Sequence, residues 1–349
     1  MIKARSYAAQ NAKSALAPWS FDRRAVGDND VLIDIAYCGV CHSDIHQARN
    51  EWGNSIFPMV PGHEIVGIVS KVGKNVKKFK AGDRVGVGCL VDSCRTCPQC
   101  KKGLEQFCPD MSVTYNGYEQ DKKTPTFGGY SDVIVTHQDF VLSIPDNLPL
   151  DAAAPLLCAG ITTYSPLRHW KIGKGHKVGI IGLGGLGHMG VKFASSFGAE
   201  TLVITTSASK AADAKRLGAA GVVVSKDEAD LKKHAGSFDF LLNTVAATYD
   251  PGLYLNLLKV DGTMAVVGAP DQPLNLHLFS VIMGRKTLAG SLIGGIAETQ
   301  EMLDYCGKHN IVSDVEVIPM QEINEAYERM IRSDVRYRFS IDMASLKAA

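Results

Sequence analysis

The spacing of apolar side chains along the chain changes character near residue 150. Before it, short β-branched runs bounded by Gly and Asp recur: "DVLIDIAYCGV" (30–40), "EIVGIVSKVG" (64–73), "DRVGVGCLV" (83–91) and "FGGYSDVIVTHQDFVLSIP" (127–145). Such runs read as strands. At this spacing they predict a mostly-β unit, a partly closed barrel or sandwich. The basic run "KVGKNVKKFK" (71–80) carries Gly and Asn between its lysines and predicts a solvated turn and strand edge.

Beyond residue 150 the pattern becomes strand alternating with helix. "KVGIIGLGGLGHMGVKFASSFGA" (177–199) is an apolar strand, a glycine turn and a helix with small residues on one face. "TLVITTS" (201–207) and the helical "SKAADAKRLGA" follow, then strands at "GVVVS" (221–225), "FDFLLNTV" (238–245), "GTMAVVGAP" (262–270) and "KTLAGSLIGG" (286–295). Strand–helix alternation predicts a parallel α/β sheet. The tail, with helices "AETQEMLDYCGKH" and "INEAYERMIR" and a strand "YRFSIDM", fits neither pattern and is expected to return to the first unit. The expected division is 1–155 with 295–349 as one domain and 156–294 as the other.

Composition narrows the class. At 349 residues, two domains are the default. Hydrophobic residues at 46% and charged residues at 21% describe an ordinary soluble globular protein. A net charge of +1 argues against a protein built to bind nucleic acid, which neutralises phosphates with clustered Lys and Arg. The N-terminal stretch lacks the apolar core of a secretory signal, and no apolar stretch reaches the roughly 18 residues that suggest a membrane span. Nine cysteines in such a chain point to the reducing cytoplasm, where clustered thiols bind metal more often than they pair.

The glycine turn Gly182-Leu183-Gly184-Gly185-Leu186-Gly187 fits the dinucleotide fingerprint, and it sits between a strand and a helix as that motif requires. Its chemistry is steric and electrostatic: glycines admit a pyrophosphate to the backbone, and the helix N-terminus favours negative charge. An Asp or Glu about 20 residues on would bond the ribose 2′-hydroxyl. No acid stands between Thr201 and Ala212, where Thr206, Ser207, Ser209 and Lys210 occur instead. Hydroxyls and a lysine suit a 2′-phosphate, so NADP(H) is expected over NAD(H). The alternative to a phosphate contact is that Lys210 is simply a solvated residue in the first turn of a helix.

Ligand-type residues fall in two sets. "CRTCPQCKKGLEQFC" (94–108) places Cys94, Cys97, Cys100 and Cys108 within fifteen residues. A zinc module, an iron–sulfur carrier, a redox switch or a clip within something larger all fit it at first sight. The ferredoxin run has three residues before its last Cys-Pro, whereas seven precede Cys108-Pro109 here. The second set is scattered through "CGVCHSDIH" (38–46), "PGHEIVG" (61–67) and "LLCAGITTY" (156–164). Singly, His63 reads as a core histidine and Cys158 as a small core hydrophobe. Together Cys41, His63 and Cys158 make a Cys₂His set with one position open, the composition of a catalytic zinc site.

These motifs, in this order along essentially the whole chain, resemble the zinc-dependent medium-chain alcohol dehydrogenases. The resemblance is nearest to the cinnamyl-alcohol dehydrogenase class and its bacterial NADPH-dependent aldehyde reductases. It implies an α/β fold, with a GroES-like mostly-β catalytic domain and a Rossmann doubly wound domain. It implies two zinc ions per chain: a catalytic one on Cys41, His63 and Cys158 with Glu64 as exchanging ligand, and a structural one on Cys94, Cys97, Cys100 and Cys108. Asp44 matches the acid that orients the ligand histidine, Ser43 the hydroxyl at the substrate oxygen, His46 the proton exchanger and Thr162 a residue beside the nicotinamide. Backbone at Val267, Gly268 and Ala269, and at Leu292, Ile293 and Gly294, is expected at the carboxamide end. Plant relatives carry Trp where "SVTYNG" has Val113, so a roomier pocket is expected, with Trp52, Val113, Tyr115 and Ile293 as lining candidates.

The expected activity is interconversion of small-molecule primary alcohols and aldehydes by hydride transfer. The expected assembly is a homodimer extended through "KTLAGSLIGG". Neither membrane nor nucleic acid is an expected partner. The competing class is a zinc or iron–sulfur binding or regulatory protein without turnover; a quinone oxidoreductase of the same fold is a third, less suited to the zinc ligands.

Overall fold

A computed structural model describes residues 1–270 and 272–347. The chain forms two compact units, Met1–Ile161 with Gly294–Ala349, and Thr162–Ile293. The tail therefore groups with the first unit, and so does Cys158. The helix Ala159–His169 runs across the first boundary.

The first unit is organised around the strand Asp30–Val40. Its Val, Ile and Leu residues are buried along most of its length, because it is paired on both edges. Ile65–Val72 runs antiparallel along one edge. The other edge is shared: Val133–His137 pairs with its first half and Arg338–Asp342 with its last four residues. Arg84–Val87 and Leu142–Ser143 extend the sheet one way, and Val315–Pro319 the other. Val31, Ile33, Ile35, Val69, Val85, Ile134, Phe339 and Ile341 form the core between these strands. Each such side chain contributes about 1.5–3 kcal/mol on leaving water.

The second unit is a six-stranded sheet in the order Gly221–Val224, Glu200–Thr205, Lys177–Ile181, Phe238–Asn243, Leu258–Val266, Thr287–Gly290. Every pairing is parallel. The order reverses between Lys177–Ile181 and Phe238–Asn243, which makes that crevice the topological switch point where such sheets bind ligands.

Three strand readings shift. The run 83–91 is broken at Gly88–Cys89, and Leu90–Asp92 leaves the main sheet to pair with Ser112–Val113. The reason is crowding: a Cβ on Gly88 would stand 3.0 Å from Leu157 O, so the chain passes the 154–157 turn closely and bends. The strand expected at 262–270 covers Leu258–Val266. The strand expected at 286–295 stops at Gly290, ahead of Ile293 with φ +34°.

Candidate metal and dinucleotide sites

In the first unit, strand register gathers residues far apart in sequence. Cys38 pairs with Ile65, and Gly39 N–H donates to Glu64 O at 2.9 Å, so Cys41 and His63–Glu64 leave the same end of two adjoining strands. Phe339 pairs with Val40, which brings Arg338 level with Cys41 one step further on. Cys158 arrives from the turn 154–157. One ligand atom from each of Cys41, His63, Glu64 and Cys158 lies within 4.8 Å of the others, and Cys41 Sγ to Cys158 Sγ is 4.0 Å.

Asp44 supports this set from beneath. Its buried carboxylate accepts four hydrogen bonds: Cys41 N–H (2.9 Å) and Tyr130 O–H (3.3 Å) on Oδ2, Gly62 N–H (3.1 Å) and His63 Nδ1 (3.2 Å) on Oδ1. The bond to Nδ1 leaves Nε2 available to a metal, the arrangement metal-bound imidazoles need. Tyr115 stacks on the His63 ring at 5.7 Å, and Tyr327 O–H lies 3.5 Å from Tyr130 O–H.

Glu64 is fully buried and ion-paired through Oε1 to Arg338, while its Oε2 has no hydrogen-bond partner among the described residues. Burial pushes its carboxyl up to about 7, against the pull of Arg338. The two thiols split: Cys41 is held low by the hydrogen bond from Cys158, and Cys158 is driven up by the same contact and by Cys89 beside it. Burial disfavours a charged His63, yet Asp44 outweighs it and holds the imidazole well above its ordinary value. Two sulfurs, an imidazole and a buried carboxylate oxygen without a partner are the donor set of a four-coordinate zinc.

The second cluster is closed. Sγ–Sγ distances of 4.0 Å (Cys94–Cys100), 3.5 Å (Cys97–Cys100) and 3.5 Å (Cys94–Cys108) bracket the edge of a tetrahedron with ~2.3 Å zinc–sulfur bonds, about 3.8 Å. Cys97 N–H and Cys100 N–H donate to Cys94 Sγ and Cys97 Sγ.

Ser43 Oγ stands 3.6 Å from Cys41 Sγ. His46 pairs through Nδ1 with Glu51 and stacks on half-exposed Trp52 at 5.0 Å. The lining candidates thus divide: Trp52 packs on His46, Tyr115 is buried on His63, and Val113 lies in the short ladder with Leu90.

In the second unit the glycine turn has the required local geometry. Gly182 has φ +90°, and a Cβ on Gly187 would fall 2.0 Å from Gly182 O, so helix Gly187–Ser196 packs against the strand end only without a side chain there. A Cβ on Gly184 would meet nothing within 4 Å, leaving open space beside that backbone. This fits a pyrophosphate cradle. Leu183 and Gly185 are half-buried, as is Leu186, the helix cap. After Glu200–Thr205, exposed Thr206, Ser207 and Ser209 precede half-buried Lys210, with Ser207 Oγ 2.8 Å from Ser209 Oγ. Thr162 is buried on helix Ala159–His169. Val267 N–H and Gly268 N–H donate to Asn243 O, and Ala269 follows; Leu292 is exposed.

Four residues of the site escaped the sequence reading. Arg338 is the buried partner of Glu64; an arginine inside an apolar strand was its only signal. Glu51 lies five residues after His46, Cys89 sits beside Cys158, and Tyr130 bonds Asp44.

A buried S₂NO donor set on a β unit, joined in one chain to a dinucleotide-binding parallel sheet, defines a metal-dependent nucleotide-linked oxidoreductase. Known proteins agree. Residues 27–146 match the alcohol dehydrogenase GroES-like domain, and residues 185–308 the zinc-binding dehydrogenase domain. NADP-dependent alcohol dehydrogenase C 1 of Mycolicibacterium smegmatis is 54% identical over 345 residues, 98% of this chain and 99% of that protein. Aldehyde reductase YahK of Escherichia coli is 54% identical over 348 residues, 99% of each chain. A cinnamyl alcohol dehydrogenase structure from Sorghum bicolor superposes with TM-score 0.96 at 49% identity, covering 98% of both chains. The chain belongs to the zinc-dependent alcohol dehydrogenase family.

Proposed function

We propose that the protein is an NADP(H)-linked aldehyde reductase and alcohol dehydrogenase with two zinc ions per chain, acting on small aromatic or aliphatic aldehydes. The observation that carries this reading is the buried Cys41–His63–Glu64–Cys158 set, in which Glu64 Oε2 has no partner among the described residues. Names of the relatives support NADP and the aldehyde–alcohol pair.

When bound, zinc supplies a Lewis acid for the carbonyl oxygen and NADPH supplies the hydride. Cys41, His63 and Cys158 would hold the metal, Glu64 would be its exchanging ligand, and Asp44 keeps His63 in the tautomer that presents Nε2. Arg338 balances the Glu64 carboxylate and would retain it when it is not a ligand. Ser43 binds the substrate oxygen and carries its proton. His46, hydrogen-bonded through Nδ1 to Glu51, exchanges that proton with solvent. Trp52 packs on the imidazole and is also the exposed aromatic nearest to it, which makes it a candidate for substrate contact.

In the second unit, the turn Gly182–Gly187 receives the pyrophosphate, and Thr206, Ser207, Ser209 and Lys210 the 2′-phosphate. Val267–Ala269 and Leu292–Gly294 receive the carboxamide through backbone groups, with Thr162 beside the ring. Cys94, Cys97, Cys100 and Cys108 hold the structural zinc. The edge strand Thr287–Gly290 is largely exposed, and Leu278, Phe279, Ile282, Met283 and Leu288 are exposed close by in sequence. That edge supports a homodimer. No described helix is long and apolar enough to cross a membrane, and the free thiols suit the cytoplasm.

The test is metal analysis with an aldehyde panel run on NADPH and NADH side by side, plus sedimentation for the dimer. Two zinc per chain and faster NADPH turnover are expected. Two zinc without turnover on any aldehyde would favour the binding-protein reading. In Lys210→Glu the NADPH preference should fall or reverse; an unchanged preference removes Lys210 from the phosphate site.

A further inference from the structure

The four-cysteine lobe reaches Gly295 and Ile296, the residues directly after the segment assigned to the cofactor. Between Cys100 and Cys108 the chain makes two tight turns: Gly103 N–H donates to Cys100 O and Cys108 N–H to Glu105 O, each at 3.0 Å. Fixed at both ends by cysteines, this loop presents the Gly103 carbonyl and the Glu105 carboxylate to the start of helix Ile296–His309. Glu105 Oε2 accepts from Ile296 N–H at 3.1 Å, one of the amides a helix start leaves without an internal partner. A Cβ on Gly295 would lie 1.8 Å from Gly103 O and 2.8 Å from Glu105 Oε2, so the two backbones touch. From the helix side, Thr299 N–H (2.9 Å) and Thr299 O–H (2.7 Å) both donate to Gly295 O.

The pinned residues stand at a junction of the chain. Gly294 is the first residue back in the first unit, and a Cβ there would lie 2.6 Å from Ile161, the last residue before the chain leaves it. Just ahead, Ile293 has φ +34°, a region that β-branched residues seldom occupy. Such a conformation persists where its surroundings over-determine it. The surroundings here are Gly294 against Ile161 and Gly295–Ile296 against the loop 103–105.

We propose that Glu105 is a positioning residue for the cofactor: from the four-cysteine lobe it pins Gly295 and Ile296, and through them holds Leu292–Gly294 ready for the carboxamide end. The cofactor half of this inference rests on the proposed role of 292–294. The pinning half rests on the contacts alone. The lobe then does more than stabilise its own loop, because any loosening of Cys100 or Cys108 is felt two residues from the cofactor backbone.

The test uses the full zinc-loaded chain and two variants, Glu105→Ala and the milder Glu105→Gln, whose amide oxygen can still accept. Hydrogen exchange is read over 293–299, NADPH binding by fluorescence titration, and zinc by metal analysis. In Glu105→Ala we expect zinc to stay at the wild-type level and amides 293–299 to exchange about ten-fold faster. NADPH is expected to bind roughly three-fold more weakly, because the receptive conformer is less populated. Glu105→Gln should fall between. Unchanged exchange overturns the pinning, and faster exchange with unaltered NADPH affinity overturns its tie to the cofactor. Should Glu105→Ala lose metal or fold poorly, the same comparison in Glu105→Gln decides. A wild-type chain that does not bind NADPH would refute the functional reading instead, while the exchange result would still decide the pinning.

Discussion

Replacing Asp44 by asparagine removes one charge and reverses one polar atom, and the geometry sets the size of the effect. All four groups facing the carboxylate are donors: Cys41 N–H and Tyr130 O–H on one oxygen, Gly62 N–H and His63 Nδ1 on the other. A carboxylate has room for all four, whereas an amide offers one oxygen and turns a donor toward the other pair. With the new nitrogen toward Cys41 and Tyr130, two buried donors lose their acceptor, at about 1–3 kcal/mol each, or about 2–6 kcal/mol in sum, whereas turned toward His63 it strands Gly62 N–H alone. Tyr130 can turn toward Tyr327, which lies 3.5 Å away, so the lower half of that range is expected when the nitrogen faces Tyr130. If it faces His63 instead, the amide donates to Nδ1 and drives the imidazole proton to Nε2, the nitrogen needed for the metal. Loss of such outer partners weakens metal binding by about 10–100-fold. Competition against a chromophoric chelator should then release one of the two zinc ions from D44N at concentrations that leave both on the wild type, the four-cysteine zinc being retained. A D44N chain that binds both ions as tightly as wild type, and loses less than about 1 kcal/mol in denaturant unfolding of the first unit, would refute this account of Asp44.

Cys158→Ala should lose one zinc and all measurable aldehyde turnover while binding NADPH as wild type does; turnover with that metal absent would refute the ligand assignment. His46→Ala should lower turnover less and alter the pH–rate profile, and an identical profile would exclude His46 from proton exchange. Zinc affinity of the metal-free Cys41 site should fall steeply with acid. The thiol of Cys158 and the imidazole of His63 are both held above their ordinary values, so both are protonated in the neutral metal-free chain and both protons leave on binding. With Glu64, raised to about 7, giving up part of a third proton, the loss is at least about 100-fold for each unit the pH drops, read by calorimetric titration, and a pH-independent affinity between about 6 and 8 would contradict it.

What could be read from sequence was local chemistry. The turn 182–187 needs only its own strand and helix around it, and the four sulfurs of 94–108 come within 4.8 Å of one another inside one loop. The ligand types Cys41, His63 and Cys158 were recognisable as a set, but their convergence is a matter of register that no short window contains. Pairing Cys38 with Ile65 puts Cys41 and His63 at one sheet end. Pairing Phe339 with Val40 puts Arg338 there as well, 274 residues from the Glu64 it neutralises. Arg338 therefore reads in sequence as an ordinary tail arginine, although it is buried. The broken run 83–91 failed for a related reason, since its β-branched pattern continues through Gly88 while the turn 154–157 forces the bend.

The two metal sets also differ in what their shapes permit. Four thiols at tetrahedral edge distances leave no vertex for a substrate, so the most conspicuous motif in the sequence can act only through what its loop touches. The scattered set has three donors of fixed direction and a fourth, Glu64, whose attachment to Arg338 gives it a place to rest when it is not a ligand. A buried carboxylate balanced by a guanidinium would not be stranded as a lone buried charge if it were off the metal. That second partner would let Glu64 leave a zinc held by Cys41, His63 and Cys158 in the proposed reaction, and the four-cysteine lobe offers no such partner among the described residues.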